Sequence, residues 1–322
     1  MENIKIDLRL NQNKLSEDVL SAMRESTLIE RSELNAKIAK LYGALYAEAS
    51  FNSFEDAVNL LNKILKKGNV LVPENNFEEA QILSKMNNIT TYAISPSDGI
   101  NYELLEKKVE EIKPSVIFAA QGVSQRPCDF RKIKIMANNI NATLVAVLGH
   151  NAGLAAAGCV QNPVFWADYT VLSFDGSLRG PVGAAILTNN KDYLEKIESA
   201  LESAGENMGA KLVAIEEAIS PKFGIYARKC VTYAKNLSKA LSKEGFKVNP
   251  RTVEANIVCI EFENAKEALL KLEKNNILAS LLNENTIAFE TSLIATLRTP
   301  IQDVANIIIK TLKWAFILET LK

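Results

Sequence analysis

The strongest constraint on this chain is the regular alternation of short, β-branched segments with helix-period segments through its first half. The predicted strands span residues 69–72, 90–94, 115–120, 143–148, 169–174 and 183–187. The predicted helices between them span residues 54–65, 78–86, 102–112 and 130–137. Alternation at this spacing is typical of an α/β fold, in which helices cover both faces of a mostly parallel sheet.

The pattern changes after residue 191. Two or three long helices are predicted over residues 193–241, and Ser220-Pro221 has the form of a helix start. Alternation then resumes, with predicted strands at 257–262 and 286–289 and predicted helices at 265–274 and 301–321. We therefore expect a small C-terminal α+β domain that is reached through a long helix. The predicted parts are an N-terminal segment (1–32), a large αβα domain (33–205), and the long helix with the small domain (206–322).

The cysteine and histidine positions argue against a metal site. Cys128, Cys159, Cys230 and Cys259 lack metal-ligand spacing, and His150 is the only histidine, so we expect reduced, buried thiols. A net charge of −1 over 322 residues provides no field to recruit nucleic acid. No apolar stretch reaches the roughly 18 residues of a membrane span, and the first residues contain no apolar signal segment. We expect a cytoplasmic protein without nucleic-acid or membrane partners.

Several collinear segments resemble one enzyme family. They are residues 126–130 (RPCDF), 148–158 (LGHNAGLAAAG), 167–170 (ADYT), 177–181 (SLRGP) and 217–223 (EAISPKF). The second is similar to D-x-A-H-x-x-G-L-x-A-x-G of the serine hydroxymethyltransferases, and the fourth is similar to their TLRGP. The resemblance implies an aspartate-aminotransferase-like fold, which is fold type I of the pyridoxal phosphate (PLP) enzymes. Such a fold has a large domain with a mostly parallel sheet and a small C-terminal α+β domain.

The resemblance also implies PLP, held by a lysine through a Schiff base and by an aspartate at the pyridine nitrogen. The family's TTHKTLRGP aligns without a gap with SFDGSLRGP, which puts Gly176 at the lysine position. No lysine lies between Lys134 and Lys191 to replace it. The aspartate position is Val147, which has no hydrogen-bond acceptor.

The other family positions have changed as well. The phosphate cradle has lost its glycine, and Ser53 with Asp56 is better interpreted as a cap of its own helix. The arginine that the family uses for the substrate carboxylate aligns with Ala288. The ring-stacking histidine maps near Phe77, and the serine that contacts the cofactor maps near Gly122.

The sequence thus predicts the relic of a cofactor cleft. His150 is retained, and we favour a structural or relic role for it over a catalytic one. Asp175 is interpreted as a turn residue before Gly176. We expect no catalytic residue, no bound cofactor and no metal, with non-covalently bound PLP as the alternative.

Three functional hypotheses remain open. The favoured one is a pseudoenzyme that acts as a binding, regulatory or partner subunit, in a homodimer or in a heterodimer with a catalytic relative. The second is an enzyme with a PLP-independent chemistry in the old cleft, with Asp175, His150, Glu55, Asp56 and Glu290 as candidates. The third is a residual PLP-dependent hydroxymethyltransferase.

Overall fold

The computed structural model describes residues 6–25, 29–74, 78–201 and 205–319, and its main feature is a seven-stranded sheet packed against helices. The strands are β1 (Ile6–Asp7), β2 (Tyr46–Phe51), β3 (Val70–Pro73), β4 (Ile89–Tyr92), β5 (Ile94–Ser95), β6 (Gly99–Ile100), β7 (Val116–Ala120), β8 (Thr143–Leu148), β9 (Tyr169–Ser173), β10 (Ala184–Thr188), β11 (Ile257–Glu261), β12 (Ile277–Leu278), β13 (Ser280–Asn283) and β14 (Thr286–Glu290). The α-helices are α1 (Glu17–Arg24), α2 (Arg31–Tyr42), α3 (Phe54–Ile64), α4 (Glu78–Leu83), α5 (Tyr102–Ile112), α6 (Phe130–Asn139), α7 (Ala152–Ala156), α8 (Lys191–Ala200), α9 (Met208–Ile219), α10 (Pro221–Lys243), α11 (Ala265–Lys274), α12 (Ser292–Leu297) and α13 (Ile301–Glu319).

The seven-stranded sheet has the order β2-β10-β9-β8-β7-β3-β4. Strand β10 runs antiparallel to both of its neighbours, and the other pairs are parallel. All six residues of β8 are buried, as expected for a central parallel strand covered on both faces. The predicted α/β class with a mostly parallel sheet is confirmed.

The second half of the chain begins with three helices, α8, α9 and α10, which agrees with the long helices predicted there. Helix α10 starts as its sequence indicates, because the Ser220 side chain accepts the Phe223 N–H and Pro221 occupies the first turn. The chain then forms a three-stranded antiparallel sheet in the order β11-β14-β13. The domain boundaries at residues 32 and 205 stay a prediction.

The N-terminal segment contacts both parts of the chain. Strand β1 pairs in parallel with β12, and Glu290 at the end of β14 donates its backbone N–H to Leu8 O at 2.8 Å. Helix α1 packs on α9, where Val19 and Ala22 lie against Ala210. This segment therefore lies across the junction at which the candidate site is found.

Within these described ranges, no helix is long and apolar enough to cross a bilayer. The same residues contain no group of three or more His, Cys, Asp and Glu side chains that could hold a metal ion. All four cysteines are free. Cys159 is only partly buried, which departs from the predicted set of buried thiols, because it follows the open turn at Gly158.

Candidate functional site

The carboxyl ends of β8 and β9 bring the predicted lysine position beside the retained histidine. Ser177 donates its backbone N–H to His150 O at 3.2 Å. A Cβ atom added at Gly176 would lie 3.1 Å from the His150 Cα. Neighbouring parallel strands end at the same edge of a sheet, where α/β proteins place their ligands. Two of the predicted site positions are thus adjacent.

Gly176 has a backbone conformation that favours glycine. Its φ is +62°, in the left-handed region. Its carbonyl accepts a hydrogen bond from Asn13 Nδ2 at 3.0 Å, and the same nitrogen donates to Tyr226 Oη at 2.7 Å. The N-terminal segment therefore covers this position, and residue 176 has no side chain to supply an amine.

Val147 and His150 are both buried at the carboxyl end of β8. Val147 is buried on β8, between Ala120 and Val171 of the adjacent strands. The His150 Nε2 atom is buried without a hydrogen-bond partner, and burial lowers the pKa of His150 to about 4. The imidazole is therefore neutral at physiological pH, and the structural or relic role of His150 stays a prediction.

The predicted cradle position is a helix cap. The Ser53 Oγ accepts the Asp56 N–H at 3.1 Å, so Ser53 caps the start of α3. Glu55 in the same turn forms an ion pair with Lys85 at 2.9 Å. Asp56 and Ser50 line a separate cavity of about 250 Å³. The helix start is thus occupied by its own side chains.

We expect Ser53→Ala to lower the free energy of unfolding by about 1 kcal/mol, because the Asp56 N–H loses its acceptor. Chemical denaturation of the two proteins measures the difference. Ser199→Ala is the matched control, since Ser199 is exposed inside α8 and alanine is a good helix former. Equal unfolding free energies for wild type and Ser53→Ala would show that the cap contributes nothing.

The remaining family positions lie in different environments. Ala288 is fully buried on β14, opposite Cys259, so no guanidinium stands there. Arg298, which lies ten residues beyond the position of the family's arginine, is exposed at the end of α12. Gly122 follows β7 with a φ of +59° and accepts the Ser124 N–H through its carbonyl. Phe77 lies outside the described residues.

Two buried carboxylates, Glu79 and Glu290, and the partly buried Asp175 lie in this region. Glu79 of α4 is 5% exposed, and burial raises its pKa to about 8. Glu290 at the end of β14 is 1% exposed, and burial raises its pKa to about 7. Burial also raises the pKa of Asp175 to about 6. Asp175 directly precedes the 3-10 turn Gly176–Leu178, in agreement with its interpretation as a turn residue.

The structure brings together only some of the residues proposed for a PLP-independent chemistry. Asp175 and Glu290 interact with each other and with Glu79, whereas Glu55 pairs with Lys85 instead. Glu79 itself was missed by the sequence analysis. The sequence does indicate that Glu79 is buried. It precedes Ala80 and lies four residues before Leu83, so its carboxylate is on the apolar face of α4.

Comparisons with known proteins agree on one family. The serine hydroxymethyltransferase family model matches residues 59–301. A serine hydroxymethyltransferase of Mycoplasma genitalium is 31% identical over 62% of this chain and 50% of its own length. Those of Endomicrobium trichonymphae and Ehrlichia ruminantium (strain Gardel) are 30% and 27% identical, over 83% and 79% of this chain and 67% and 64% of their own lengths. The chain thus spans half to about two thirds of the length of these relatives.

These relatives correct one expectation. Each is named serine hydroxymethyltransferase. The resemblance of this sequence to that family implies PLP as the cofactor. The expectation that no cofactor is involved is therefore wrong, and PLP is the cofactor that the comparisons imply.

The described residues do not fit a covalently bound PLP. Gly176 has no amine, and a side chain there would crowd the His150 backbone. Val147 offers no acceptor to a pyridine N–H. At the predicted cradle position, the first turn of α3 carries the carboxylates of Glu55 and Asp56, which would repel a phosphate dianion.

Proposed function

Because this chain belongs to the serine hydroxymethyltransferase family and carries glycine at the Schiff-base position, we propose that it is a family member without Schiff-base catalysis, which acts as a binding or partner subunit. The observation that carries this proposal is Gly176. An aldimine needs a side-chain amine, and position 176 has only a hydrogen atom in a backbone conformation that disfavours other side chains.

The fold supports this proposal. The seven-stranded, mostly parallel sheet is formed, which supports a folded subunit of the family type. Lys211 is the only fully buried lysine in the described part of the chain, and its amine donates to Ala49 O and Phe51 O. The Lys211 amine is therefore hydrogen-bonded to the main chain and does not replace the missing lysine at position 176.

The names of the relatives favour a second candidate, a PLP-dependent hydroxymethyltransferase. In this chain PLP would have to be held without a covalent bond. When bound, PLP supplies an electron sink for the chemistry of amino acids. The side chains at the strand ends would supply the walls of its site.

One experiment separates the two candidates. The purified chain is incubated with PLP and treated with borohydride, which reduces a Schiff base to a stable adduct. Mass spectrometry of the intact protein then detects any adduct. We expect no pyridoxyl adduct at the cleft and no conversion of serine to glycine. The Mycoplasma genitalium relative serves as the positive control. An absorption band that shifts with added serine, together with turnover, would establish the second candidate in place of the first.

The partner role has its own test. Light scattering after gel filtration measures the mass of the chain alone and after mixing with a catalytic serine hydroxymethyltransferase from the same cells. The proposal expects a homodimer or a mixed dimer. A monomer in both samples would contradict it.

A further inference from the structure

The N-terminal part of the chain is anchored by apolar side chains on two sides. Ile6 and Leu8 are buried in the core beneath the three-stranded sheet, and strand β1 pairs with β12. Further along the chain, Val19 and Ala22 of α1 pack on α9. Residues 10–14 lie between these two anchors, and we call them the linking segment.

The Asn13 side chain binds the linking segment to the candidate site. Its Nδ2 donates to Gly176 O at 3.0 Å and to Tyr226 Oη at 2.7 Å. Its Oδ1 accepts from Thr296 Oγ1 at 2.8 Å. These partners lie on the loop after β9, on α10 and on α12. One amide thus joins the predicted Schiff-base position to two helices from the second half of the chain.

Asn11 and Leu10 provide the other contacts of the segment. Asn11 donates its backbone N–H to Glu290 Oε2 at 2.8 Å and its Nδ2 to Glu78 Oε2 at 3.2 Å. Leu10 donates its backbone N–H to Ser280 Oγ at 3.0 Å, and its half-buried side chain packs on the larger core. Leu10 is the only apolar residue of the segment, so hydrogen bonds hold most of it in place.

The linking segment covers the edge of the sheet at which a ligand would bind. Ligands of α/β proteins bind at the carboxyl ends of the strands. A molecule that approaches the ends of β8 and β9 would meet the Asn13 amide, which already occupies the Gly176 carbonyl and the Tyr226 hydroxyl. Segments with few buried apolar contacts open at a lower free-energy cost than packed strands. The segment therefore has the contacts of a cover that is released before its anchors.

We propose that residues 10–14 form a lid, which Asn11 and Asn13 hold closed over the cleft in the free chain. The lid lifts as a unit, while β1 and α1 stay in place on either side of it. The cleft is open to a small molecule only when the lid is lifted. This regulation goes beyond the proposed binding or partner role and does not rest on it, because every contact that closes the lid lies within one chain.

Hydrogen exchange followed by NMR at single amides measures the lifting of the lid. The Leu10 and Asn11 amides donate to groups outside the lid, so they exchange when it lifts. The Leu8 amide donates to Leu278 O, and the Glu290 amide donates to Leu8 O, so both report on the anchor. In the wild type we expect Leu10 and Asn11 to share one opening equilibrium, with faster exchange than Leu8 and Glu290.

Asn13→Ala is expected to raise the opening equilibrium of the Leu10 and Asn11 amides about a hundredfold, because the closed lid loses the three hydrogen bonds of the amide to its partners. Residue 13 binds neither of these two amides, so their faster exchange reports on the lid as a unit. The exchange of Leu8 and Glu290 is expected to stay within about threefold of wild type, since the anchor keeps its contacts.

Gln12→Ala is the matched control. Gln12 lies on the lid between the two asparagines, and its side chain forms no hydrogen bond with the described part of the chain. We expect its lid amides to exchange within about threefold of wild type.

Three results would overturn the proposal. In the wild type, Leu10 and Asn11 amides that exchange only together with the core amides of β8 would show that the segment opens only by global unfolding. This result decides the question even if Asn13→Ala fails to fold. Unchanged exchange of the lid amides in Asn13→Ala would show that the asparagine does not hold the lid closed. Equal acceleration of the lid and anchor amides would show that there is no separate lid.

Discussion

Gly153→Ala is expected to lower the free energy of unfolding by about 3 kcal/mol, although alanine is the better helix former. Gly153 lies in α7, and an added Cβ would approach Ser177 O to 2.3 Å and Leu178 N to 2.7 Å. These are main-chain atoms, so the clash cannot be relieved by a side-chain rotation. The segment that carries Gly176 would have to move away from α7.

Gly224→Ala is the matched control for this prediction. Gly224 is also helical, inside α10, but the nearest atom to an added Cβ is Arg228 Nη1 at 3.4 Å, at the end of a flexible side chain. We expect this substitution to stabilise the protein by about 0.5–1 kcal/mol through helix propensity alone. Thermal or urea unfolding of the three proteins measures the contrast. Two alanine variants of equal stability would contradict the close approach at Gly153.

The close approach of α7 to the loop after β9 explains why this region could be aligned with the family from the sequence. The segment 148–158 is rich in glycine and alanine because backbone must pack on backbone there, and small residues leave a recognisable pattern. The strands on either side are fully buried, so they stand out as apolar runs. Position 176 could therefore be aligned without a gap.

Strand β2 was not predicted, and its composition shows why. Its sequence YAEASF places Glu48 at a fully buried position, which interrupts the apolar run. The Glu48 carboxylate accepts from Asn35 Nδ2 at 3.2 Å and from Ser50 N of the same strand at 2.9 Å, and Arg31 lies 3.6 Å away. Asn35 and Arg31 belong to α2, and the pattern of the strand alone cannot reveal such partners.

Single positions of the candidate site could be predicted from the sequence, but the grouping of its carboxylates in space could not. Alignment identified Gly176 and Val147, because each replaces a residue within a recognisable segment. The carboxyl cluster depends on α4, β14 and the loop after β9 meeting in space. Glu79 and Glu290 are more than 200 residues apart, and no spacing rule links them.

Lys211→Met is expected to lower the free energy of unfolding by about 3 kcal/mol, since methionine keeps the volume but donates no hydrogen bond. The Lys211 amine donates to Phe51 O at 2.8 Å and to Ala49 O at 3.3 Å, and it stands 5.6 Å from the centre of the Phe174 ring. Hydrogen bonds from a charged donor contribute about 1.5–3 kcal/mol each, and the release of a buried cation offsets part of the loss. Urea denaturation at pH 7 measures the difference.

The pH dependence of this variant separates the amine from simple packing. Burial lowers the pKa of Lys211 from 10.5 to about 8, so between these values the unfolded chain binds a proton that the folded chain does not. The wild type therefore gains stability in that window as the pH rises, and the gap to Lys211→Met widens. Lys40→Met, on the exposed face of α2, should stay within about 0.5 kcal/mol of wild type throughout. A constant gap between pH 8 and pH 10.5 would mean that the amine is already charged to the same extent in both states.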